Sequence, residues 1–350
     1  MVRPIFENAG NPSRRRLLQF GGGALGLGAL SAVDPFGLLS QPAIAQVAPL
    51  KERTVVKLAW GQTAVCQSPI SVALKRGFFD QYNLTVEPVN FSGPTDQLLQ
   101  AIATGHADGG IGMALRWLKP LEQGFDVALT VGTHGGCMRL LAAPTAGIEK
   151  IEDLRGKKVA VTDQASPVRN FFAIRLAEIG IDPDKEVEWL QYPQDLFGEA
   201  LKKGEVHALA GDDPHLYLIR ERDKLKEVAT NLDGVYKAST CCVLGLRGSL
   251  LRHQPDVAAA VTRAIVEAQA WTAANPDASA EIFAPFVPAK VPADTLATIL
   301  RSHTHDHHST GDALRKDIAL FTDKLKTINV IRQNTNAEAF AKKVVPDVLI

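Results

Sequence analysis

The chain has 350 residues, 46% of them hydrophobic and 22% charged, which is an ordinary globular composition and enough length for two domains. Its 38 basic and 38 acidic residues balance, and this argues against a nucleic-acid-binding protein, because such proteins carry a basic surplus. The sequence contains no GxxxxGK[ST] phosphate loop, no HExxH zinc motif, and no GxGxxG after a candidate strand.

Residues 1–45 have the features of an export signal. Three arginines at 14–16 precede an uncharged, glycine-rich stretch, and Ala-Ile-Ala at 43–45 is the small-x-small pattern that signal peptidase cleaves. The apolar run is shorter than the roughly 20 residues of a membrane span, so an anchor is disfavoured. Ser-Arg-Arg-x-Leu-Leu is typical of a twin-arginine signal, with an ordinary secretory signal as the alternative. We therefore predict a periplasmic protein that begins near Gln46.

The chain after the signal alternates strands with helices. A β-rich run over 54–60 precedes a loop and a helix that opens with Ser68-Pro69 and ends near Gly77. The next elements are a strand, a helix capped by Thr95 and a short strand, in the segments LTVEPVNF, TDQLLQAIATG and HADGGIGM. This order is typical of parallel βαβ units.

The second half replays the same order. Ser166-Pro167 repeats Ser68-Pro69 at an offset of 98, and the second helices end at Gly105 and Gly204, at an offset of 99. The replayed strands and helices lie in the segments KKVAVTD, QASPVRNFFAIRLAEIG, EVEWLQY, PQDLFGEALKKG and EVHALAGDD. Because five successive elements keep one offset, we predict two similar α/β lobes.

The segment from Cys241, CCVLGL, is predicted to be a strand that returns to the first lobe. The remainder has apolar residues at helical spacing of three and four. We therefore predict an α/β protein with two parallel or mixed sheets flanked by helices, with two crossing strands as hinge and the C-terminal helices on lobe 1. Lobe 1 comprises 53–142 plus 239–350, and lobe 2 comprises 143–238.

The repeated Ser-Pro pair predicts a ligand site between the lobes. In open α/β sheets, ligands bind outside the carboxyl ends of the strands, where loops lead into helix N-termini. The N–H groups and the positive dipole end of each helix suit an anion or a polar head group. The alternative, for Ser68 and Ser166 alike, is that the serine only caps its own helix.

Three charged residues of the second half are candidates for ligand contact. Arg169 lies in the first turn of a helix, where a cation opposes the helix dipole, so a neighbouring anion is one explanation and a salt bridge is the other. Asp212 and Asp213 follow an apolar strand, where one carboxylate can cap the next helix while the other faces the cleft and accepts hydrogen bonds from a ligand. These residues leave open whether the ligand is an anion or a hydrogen-bond donor.

The four cysteines and a histidine tract leave further alternatives open. Cys241 and Cys242 are adjacent on a predicted strand, so we expect buried thiols on opposite faces. Cys66 and Cys137 are expected on loops at one rim of lobe 1, where a disulfide or soft-metal binding with His134 or Met138 is the alternative to free thiols. The tract HTHDHH at 303–308 could hold a metal ion on one helix face. We predict no cofactor and no metal site from these patterns.

Several sequence segments, in a fixed order along the chain, resemble those of a known protein family. They are SPISVALKRGFFDQYNLTVEPVNFSGPTDQLLQAIATGHADGGIGM, GIEKIEDLRGKKVAVTDQASPVRNFFAIRLAEIGID, GEVHALAGDDPHL and LRHQPDVAAAVTRAIVEAQAWTAANPD. Together they resemble the periplasmic substrate-binding proteins of ABC importers of the nitrate/sulfonate/taurine type. The resemblance implies a non-enzymatic, monomeric protein whose lobes close on a small-molecule ligand by hinge motion. It also implies delivery of that ligand to a membrane permease.

The resemblance places the ligand site on the loops after the strands of both lobes, together with the two helix entrances. The resulting candidate ligand-binding residues are Gln62, Thr63, Ser68, Ser92, Gly93, Met113, His134, Gly135, Cys137, Ser166, Arg169, Asp212 and Asp213.

Two other functions stay open. The same two-lobed fold is used by the pyrimidine-precursor synthases of thiamin biosynthesis, which carry a cysteine-rich motif. Here only TCCVLG is similar to it, the further cysteines are missing, and the export signal argues against a cytosolic enzyme. A hydrolase is disfavoured because no GxSxG motif occurs. A periplasmic sensor without a permease is the second alternative.

Overall fold

The computed structural model describes residues 47–91, 95–287, 290–304 and 309–349. The predicted signal peptide at 1–45 and the candidate residues Ser92 and Gly93 lie outside the described residues. Within the described ranges, none of the helices combines the length and the apolar character that a membrane crossing requires.

The described residues of the first part of the chain form four strands and three α-helices. They are β1 (Thr54–Trp60), α1 (Ser68–Arg76), β2 (Leu84–Asn90), α2 (Thr95–Ala103), β3 (Gly109–Met113), α3 (Ala114–Glu122) and β4 (Val127–His134). A single 3₁₀ turn, Val65–Gln67, leads into α1. All seven predicted residues of β1 are in the observed strand, which alternates exposed and buried positions before ending fully buried.

The second part repeats this order after one additional strand. Its elements are β5 (Met138–Ala142), β6 (Lys158–Val161), α4 (Pro167–Glu178), β7 (Glu188–Gln191), α5 (Phe197–Lys202), β8 (Ala208–Asp212), α6 (His215–Asp223), β9 (Lys226–Thr230) and β10 (Cys242–Arg247).

The two halves form two five-stranded sheets of identical plan. The strand order is β2-β1-β3-β10-β4 in the first sheet and β7-β6-β8-β5-β9 in the second. In each sheet the fourth strand is antiparallel to its neighbours. In chain order, the polypeptide passes from the first sheet to the second between β4 and β5 and returns between β9 and β10. The predicted fold, with two mixed sheets and two crossing segments, is confirmed.

One lobe boundary differs from the prediction. β5 pairs with β8 and β9, so Met138–Ala142 belongs to the second sheet rather than to the 53–142 segment of lobe 1. All five residues of β5 are buried. Four of the five residues, all except Arg139, are apolar, and such a composition suits the centre of either sheet, so it does not reveal which lobe the strand joins.

The remaining chain is helical, as predicted. The helices are α7 (Gly248–His253), α8 (Pro255–Ala274), α9 (Pro276–Phe283), α10 (Ala293–Ser302), α11 (Gly311–Thr327) and α12 (Ala337–Val344). α8 packs on α1 and β4 of the first lobe, whereas α11 contacts both α3 and α4. Lys324 of α11 lies 2.6 Å from Glu178 of α4. The C-terminal helices therefore also reach the second lobe.

The two Ser-Pro pairs take different positions at the starts of their helices, offset by one residue. Ser166 is the N-cap of α4, where its Oγ accepts a hydrogen bond from the Arg169 N–H at 3.1 Å, and Pro167 is the first helical residue. In α1, by contrast, Ser68 is already helical and Gln67 is the N-cap residue. The Gln67 side chain turns back to accept a hydrogen bond from the Gly61 N–H at 2.7 Å. This bond holds the end of β1 against the start of α1.

Candidate ligand cleft between the lobes

A cavity of about 210 Å³ is walled by both lobes. It lies at the carboxyl ends of β1, β3, β6 and β8, the edge where α/β sheets bind their ligands. The first lobe contributes Trp60, Gly61, Thr63, Ala64, Cys66, Gln67, Phe91, Leu98, Ile111, Gly112, Met113, Arg116 and Cys242, and the second contributes Thr162, Asp163, Gln194 and Asp212.

The aromatic wall of the cleft is fixed by packing. Trp60, the last residue of β1, makes edge-to-face contacts with Phe283 and Phe286, with ring centroids 6.2 Å and 5.1 Å apart. The Trp60 Nε1–H is buried and has no hydrogen-bond partner within the described part of the chain. A buried donor without a partner costs free energy, so a polar ligand atom in the cleft would stabilise it.

The charged groups of the cleft come from both lobes. Arg116 lies in the first turn of α3 in lobe 1. In lobe 2, Asp163 lies in the loop after β6, and Asp212 is the last residue of β8. The Asp163 carboxylate accepts a hydrogen bond from the Ala165 N–H at 2.9 Å, which fixes the loop before α4. A ligand between the lobes therefore meets a guanidinium on one side and carboxylates on the other.

Asp212 has a perturbed acidity. Burial raises its pKa to about 7, and the hydrogen bond that it accepts from Gln194 Nε2 at 2.9 Å only partly opposes this effect. The negative charge of Cys66 raises the pKa further, and the positive charge of Arg116 lowers it. Near neutral pH, Asp212 therefore exists in both protonation states.

The adjacent Asp213 is not in the cleft, which corrects the prediction for this residue. Its carboxylate is buried and accepts hydrogen bonds from Arg139 Nε and Nη2, both at 2.8 Å, and lies 3.1 Å from His303 Nε2. Burial raises the pKa of Asp213, but His303 and Arg139 outweigh burial and bring the pKa below its usual range. Asp213 thus joins lobe 2 to the segment after α10.

Arg169 also lies away from the cleft. Its guanidinium forms an ion pair with Asp184 and stacks over Trp189, with 5.5 Å between the guanidinium carbon and the ring centroid. The salt-bridge alternative is therefore the observed one. Ser166 caps α4, and Ser68 is fully buried in α1. Neither serine is among the described residues that line the cavity.

The four cysteines form one buried cluster beneath the cleft. Their thiols are free, with Sγ–Sγ distances of 3.5 Å for Cys137–Cys241 and 4.0 Å for Cys66–Cys242. The Cys66–Cys137 disulfide is therefore not formed. The Cys241 sulfur contacts Cys137, and the Cys242 sulfur contacts Cys66. Cys241 lies in a bend before β10, where strand alternation does not apply.

His134 ends β4 and completes this cluster. Its ring is buried, and burial alone would lower the pKa of the imidazole. The hydrogen bond and the negative charge of Cys66 outweigh burial and raise this pKa to about 9. Conversely, hydrogen bonds from Cys137 and Cys242 bring the pKa of the Cys66 thiol well below its usual range. The His134 ring also stacks on His303, with centroids 5.3 Å apart.

Comparison with known proteins places this geometry in a family. The sequence profile of the NMT1-like family matches residues 50–285, which is most of the chain after the predicted signal. The chain belongs to the NMT1-like family. Solved structures of similar fold include the nitrate-binding protein NrtA of Synechocystis, with a TM-score of 0.70 and 16% identity over 85% of this chain and 87% of that one.

Two further similarities complete the comparison. The aliphatic sulphonate binding protein SsuA of Escherichia coli matches with a TM-score of 0.69 and 16% identity, over 81% of this chain and 90% of that one. The nitrate import ATP-binding protein NrtC of Synechococcus elongatus is 26% identical over 217 residues, which is 57% of this chain. The alignment spans only 33% of the length of NrtC. The predicted resemblance to importer binding proteins is confirmed.

Among the predicted site residues that the structure describes, three line the cavity of this NMT1-like protein, namely Thr63, Met113 and Asp212. His134 and Cys137 belong to the thiol cluster beneath it. The Gln62 N–H donates to Asn90 Oδ1 at 3.3 Å, and Gly135 forms an isolated bridge with Thr304, so these two residues have structural roles. His303 contacts Asp213, whereas His305, His307 and His308 lie outside the described residues.

The prediction missed most of the lining, including Gln67, Arg116, Asp163 and Gln194. A signal for Arg116 was present in the sequence. Arg116 is the third residue of α3, as Arg169 is the third residue of α4. The argument that a cation in a first helical turn indicates an anion nearby therefore applies equally to Arg116.

Proposed function

We propose that this protein is the exported, periplasmic solute-binding component of an ABC importer. It captures a small polar or anionic metabolite between its lobes and delivers the metabolite to a membrane permease, without chemical conversion. The observation that carries this proposal is the cavity of about 210 Å³ whose walls come from both sheets. A site divided in this way is completed only when both lobes contact the ligand, so binding favours the closed arrangement.

The charges of the cleft favour a small zwitterion as the ligand. NrtA is named for nitrate and SsuA for aliphatic sulphonates. Arg116 suits the anionic end of such a ligand, because a guanidinium binds planar or tetrahedral oxyanions through paired donors. Asp163 and Asp212 would repel a bare anion but would bind an ammonium group. A taurine-like aminosulfonate satisfies both ends, and its short carbon chain can pack against Trp60.

The transport assignment extends to the partner and the compartment. The NrtC relative is named as an import ATP-binding protein, which is consistent with a permease and an ATPase as partners of this chain. The features of residues 1–45 support export. A sensor that binds the same ligand without a permease is distinguished by deleting the gene of this protein and measuring ligand uptake, which falls only if the protein supplies an importer.

The second candidate is an enzyme similar to the pyrimidine-precursor synthases. It is favoured by Cys66 and Cys242, which line the cavity next to His134. A thiolate with an imidazole neighbour is a nucleophile. The enzyme hypothesis predicts that a bound pyrimidine precursor is converted, whereas the transport hypothesis predicts that every ligand is recovered intact.

A ligand screen tests the function directly. The purified protein is screened by thermal shift with taurine, ethanesulfonate, nitrate and a pyrimidine, and each hit is quantified by calorimetry. Recovery of the ligand after incubation is measured by mass spectrometry. We expect one taurine-like ligand per chain, recovered unchanged. A new product, or a crystal structure with the ligand outside the cleft, would contradict the proposal.

A further inference from the structure

The floor of the cleft brings together the groups of a metal site. Cys66, His134 and Cys242 are buried, and their ligand atoms all lie within 4.8 Å of one another. They come from distant parts of the chain, namely the turn before α1, the end of β4 and the start of β10. The chain has only four cysteines, and the two others, Cys137 and Cys241, form the neighbouring pair at 3.5 Å.

The distances suit a tetrahedral ion. A zinc ion binds sulfur at about 2.3 Å and imidazole nitrogen at about 2.0–2.1 Å, so two sulfurs on one ion are separated by roughly 3.8 Å. The Cys66 and Cys242 sulfurs are 4.0 Å apart, and a shift of a few tenths of an ångström would bring both to that separation. Two thiolates and one imidazole form a donor set for soft or borderline cations such as Zn²⁺ or Cu⁺.

The backbone holds these donors in place. His134 and Cys242 are directly paired residues of the antiparallel strands β4 and β10. The Cys241 N–H donates to the His134 carbonyl at 2.6 Å, which fixes the end of this ladder. The His134 Nδ1 lies 3.3 Å from the Gly135 carbonyl oxygen, a contact of the type that orients metal-bound histidines.

We propose that Cys66, His134 and Cys242 bind one thiophilic metal ion, such as Zn²⁺, at the floor of the cleft. Cys66 and Cys242 line the cavity, so the fourth coordination position faces the ligand space, as in zinc sites with three protein ligands. Cys137 and Cys241 lie behind the site and are not ligands. The inference goes beyond the proposed transport function, since the site binds metal whether or not a permease exists.

Metal binding is tested on the purified, reduced protein under anaerobic conditions. Zn²⁺ binding is followed by calorimetry, and Co²⁺ binding by its thiolate-to-metal absorption band. All variants carry His305→Ala, His307→Ala and His308→Ala, which remove the competing histidine tract. The parent should bind one equivalent of Zn²⁺ and show the cobalt–thiolate band. Thermal melts establish that each variant is folded.

The ligand set is tested by single substitutions. Cys66→Ser, Cys242→Ser and His134→Gln should each weaken Zn²⁺ binding by more than the roughly 100-fold cost of changing an outer-shell partner. Cys241→Ser is the matched control, because it removes a neighbouring buried thiol and should leave affinity within threefold, an effect of about 0.7 kcal/mol. Equal losses in Cys66→Ser and Cys241→Ser would overturn the ligand set. Zinc binding unchanged in all four variants, or two disulfides in the protein isolated from the periplasm, would overturn the site itself.

Discussion

Asp212 and Asp213 are neighbours in the sequence, but their carboxylates serve opposite purposes. Asp212 ends β8, lines the cleft and has a pKa raised to about 7 by burial. Asp213 is buried between Arg139 and His303, which bring its pKa below the usual range. The Asp212 carboxylate thus lies in the cleft, and the Asp213 carboxylate joins lobe 2 to His303 in the segment after α10. The pair allows binding and stability to be separated experimentally.

Asp212→Asn should weaken an amine-bearing ligand. The substitution keeps the shape of the side chain but removes its charge, and the loss of a charged hydrogen bond costs about 1.5–3 kcal/mol, a tenfold to hundredfold loss of affinity. Calorimetry with taurine measures the effect. Ethanesulfonate lacks the amine and is the control ligand, whose affinity should not fall. Equal losses for both ligands would show that Asp212 does not bind the ammonium group.

Asp213→Asn should instead destabilise the fold. Removing one partner of a buried ion pair leaves the Arg139 guanidinium without its main counter-charge, at a cost of about 3–5 kcal/mol. Urea unfolding at neutral pH measures the change in the free energy of unfolding. Asp212→Asn is the matched control, and its free energy of unfolding should fall by less than half as much. A folded Asp213→Asn protein with unchanged stability would show that the contacts of Asp213 with Arg139 and His303 do not stabilise the fold.

The raised pKa of Asp212 predicts a pH-dependent stability. Since the folded pKa of about 7 exceeds the ordinary value of 3.8, the folded state binds a proton more tightly than the unfolded state. The Asp212 contribution is therefore complete below pH 4 and is lost as the pH rises to about 7. By accessible surface, Asp212 is half-buried. Because solvent screens a half-buried charge, we expect a loss of only about 1–3 kcal/mol.

The Asp212→Asn variant isolates this effect from the other ionisable groups that line the cleft, which the substitution leaves in place. Urea unfolding of both proteins at pH 4.5, 6 and 8 gives the difference in stability at each pH. The parent should lose stability relative to Asp212→Asn as the pH rises, and the difference should level off above about pH 7. A difference that is constant with pH would show that Asp212 has an ordinary pKa.

Export should depend on the paired arginines near the N-terminus. A twin-arginine signal requires both residues, so Arg14→Lys with Arg15→Lys should abolish the periplasmic form, which is detected by cell fractionation. N-terminal sequencing of the exported parent should begin near Gln46. Lys51→Arg and Arg53→Lys, which lie beyond the predicted cleavage site, form the control. Normal export of the double-arginine variant would favour an ordinary secretory signal.

The fold was predictable because its determinants are local and repeated. Strand composition, helix ends at Gly105 and Gly204, and the offset of 99 residues identify equivalent elements in both halves. β5 was assigned to the wrong lobe because a short, fully buried strand carries no information on its partners. The contacts of α11 with α4 depend on how distant elements pack, which local patterns do not report.

The site was predictable only in outline. The sheet edge follows from topology, but the direction of a side chain there depends on single residues. Asp212 and Asp213 were both candidate ligand residues, but only Asp212 lines the cavity, whereas Asp213 is buried against Arg139 and His303. Likewise, Arg116 and Arg169 occupy the same position of two helices. The difference arises because Asp184 and Trp189 hold Arg169 at another surface.

Under the proposed function, this difference makes Arg116, which lines the cavity, the residue that we expect to bind the anionic end of the ligand. Arg116→Ala should weaken a sulfonate ligand tenfold to hundredfold, the cost of about 1.5–3 kcal/mol for a lost charged hydrogen bond. Arg116→Lys should recover part of the affinity, because lysine keeps the charge but lacks the fork of donors. Arg169→Ala is the matched control, and its sulfonate affinity should stay within threefold of the parent, about 0.7 kcal/mol. Calorimetry with ethanesulfonate ranks the three variants, and a larger loss in Arg169→Ala than in Arg116→Ala would move the anion site to the outer surface of lobe 2.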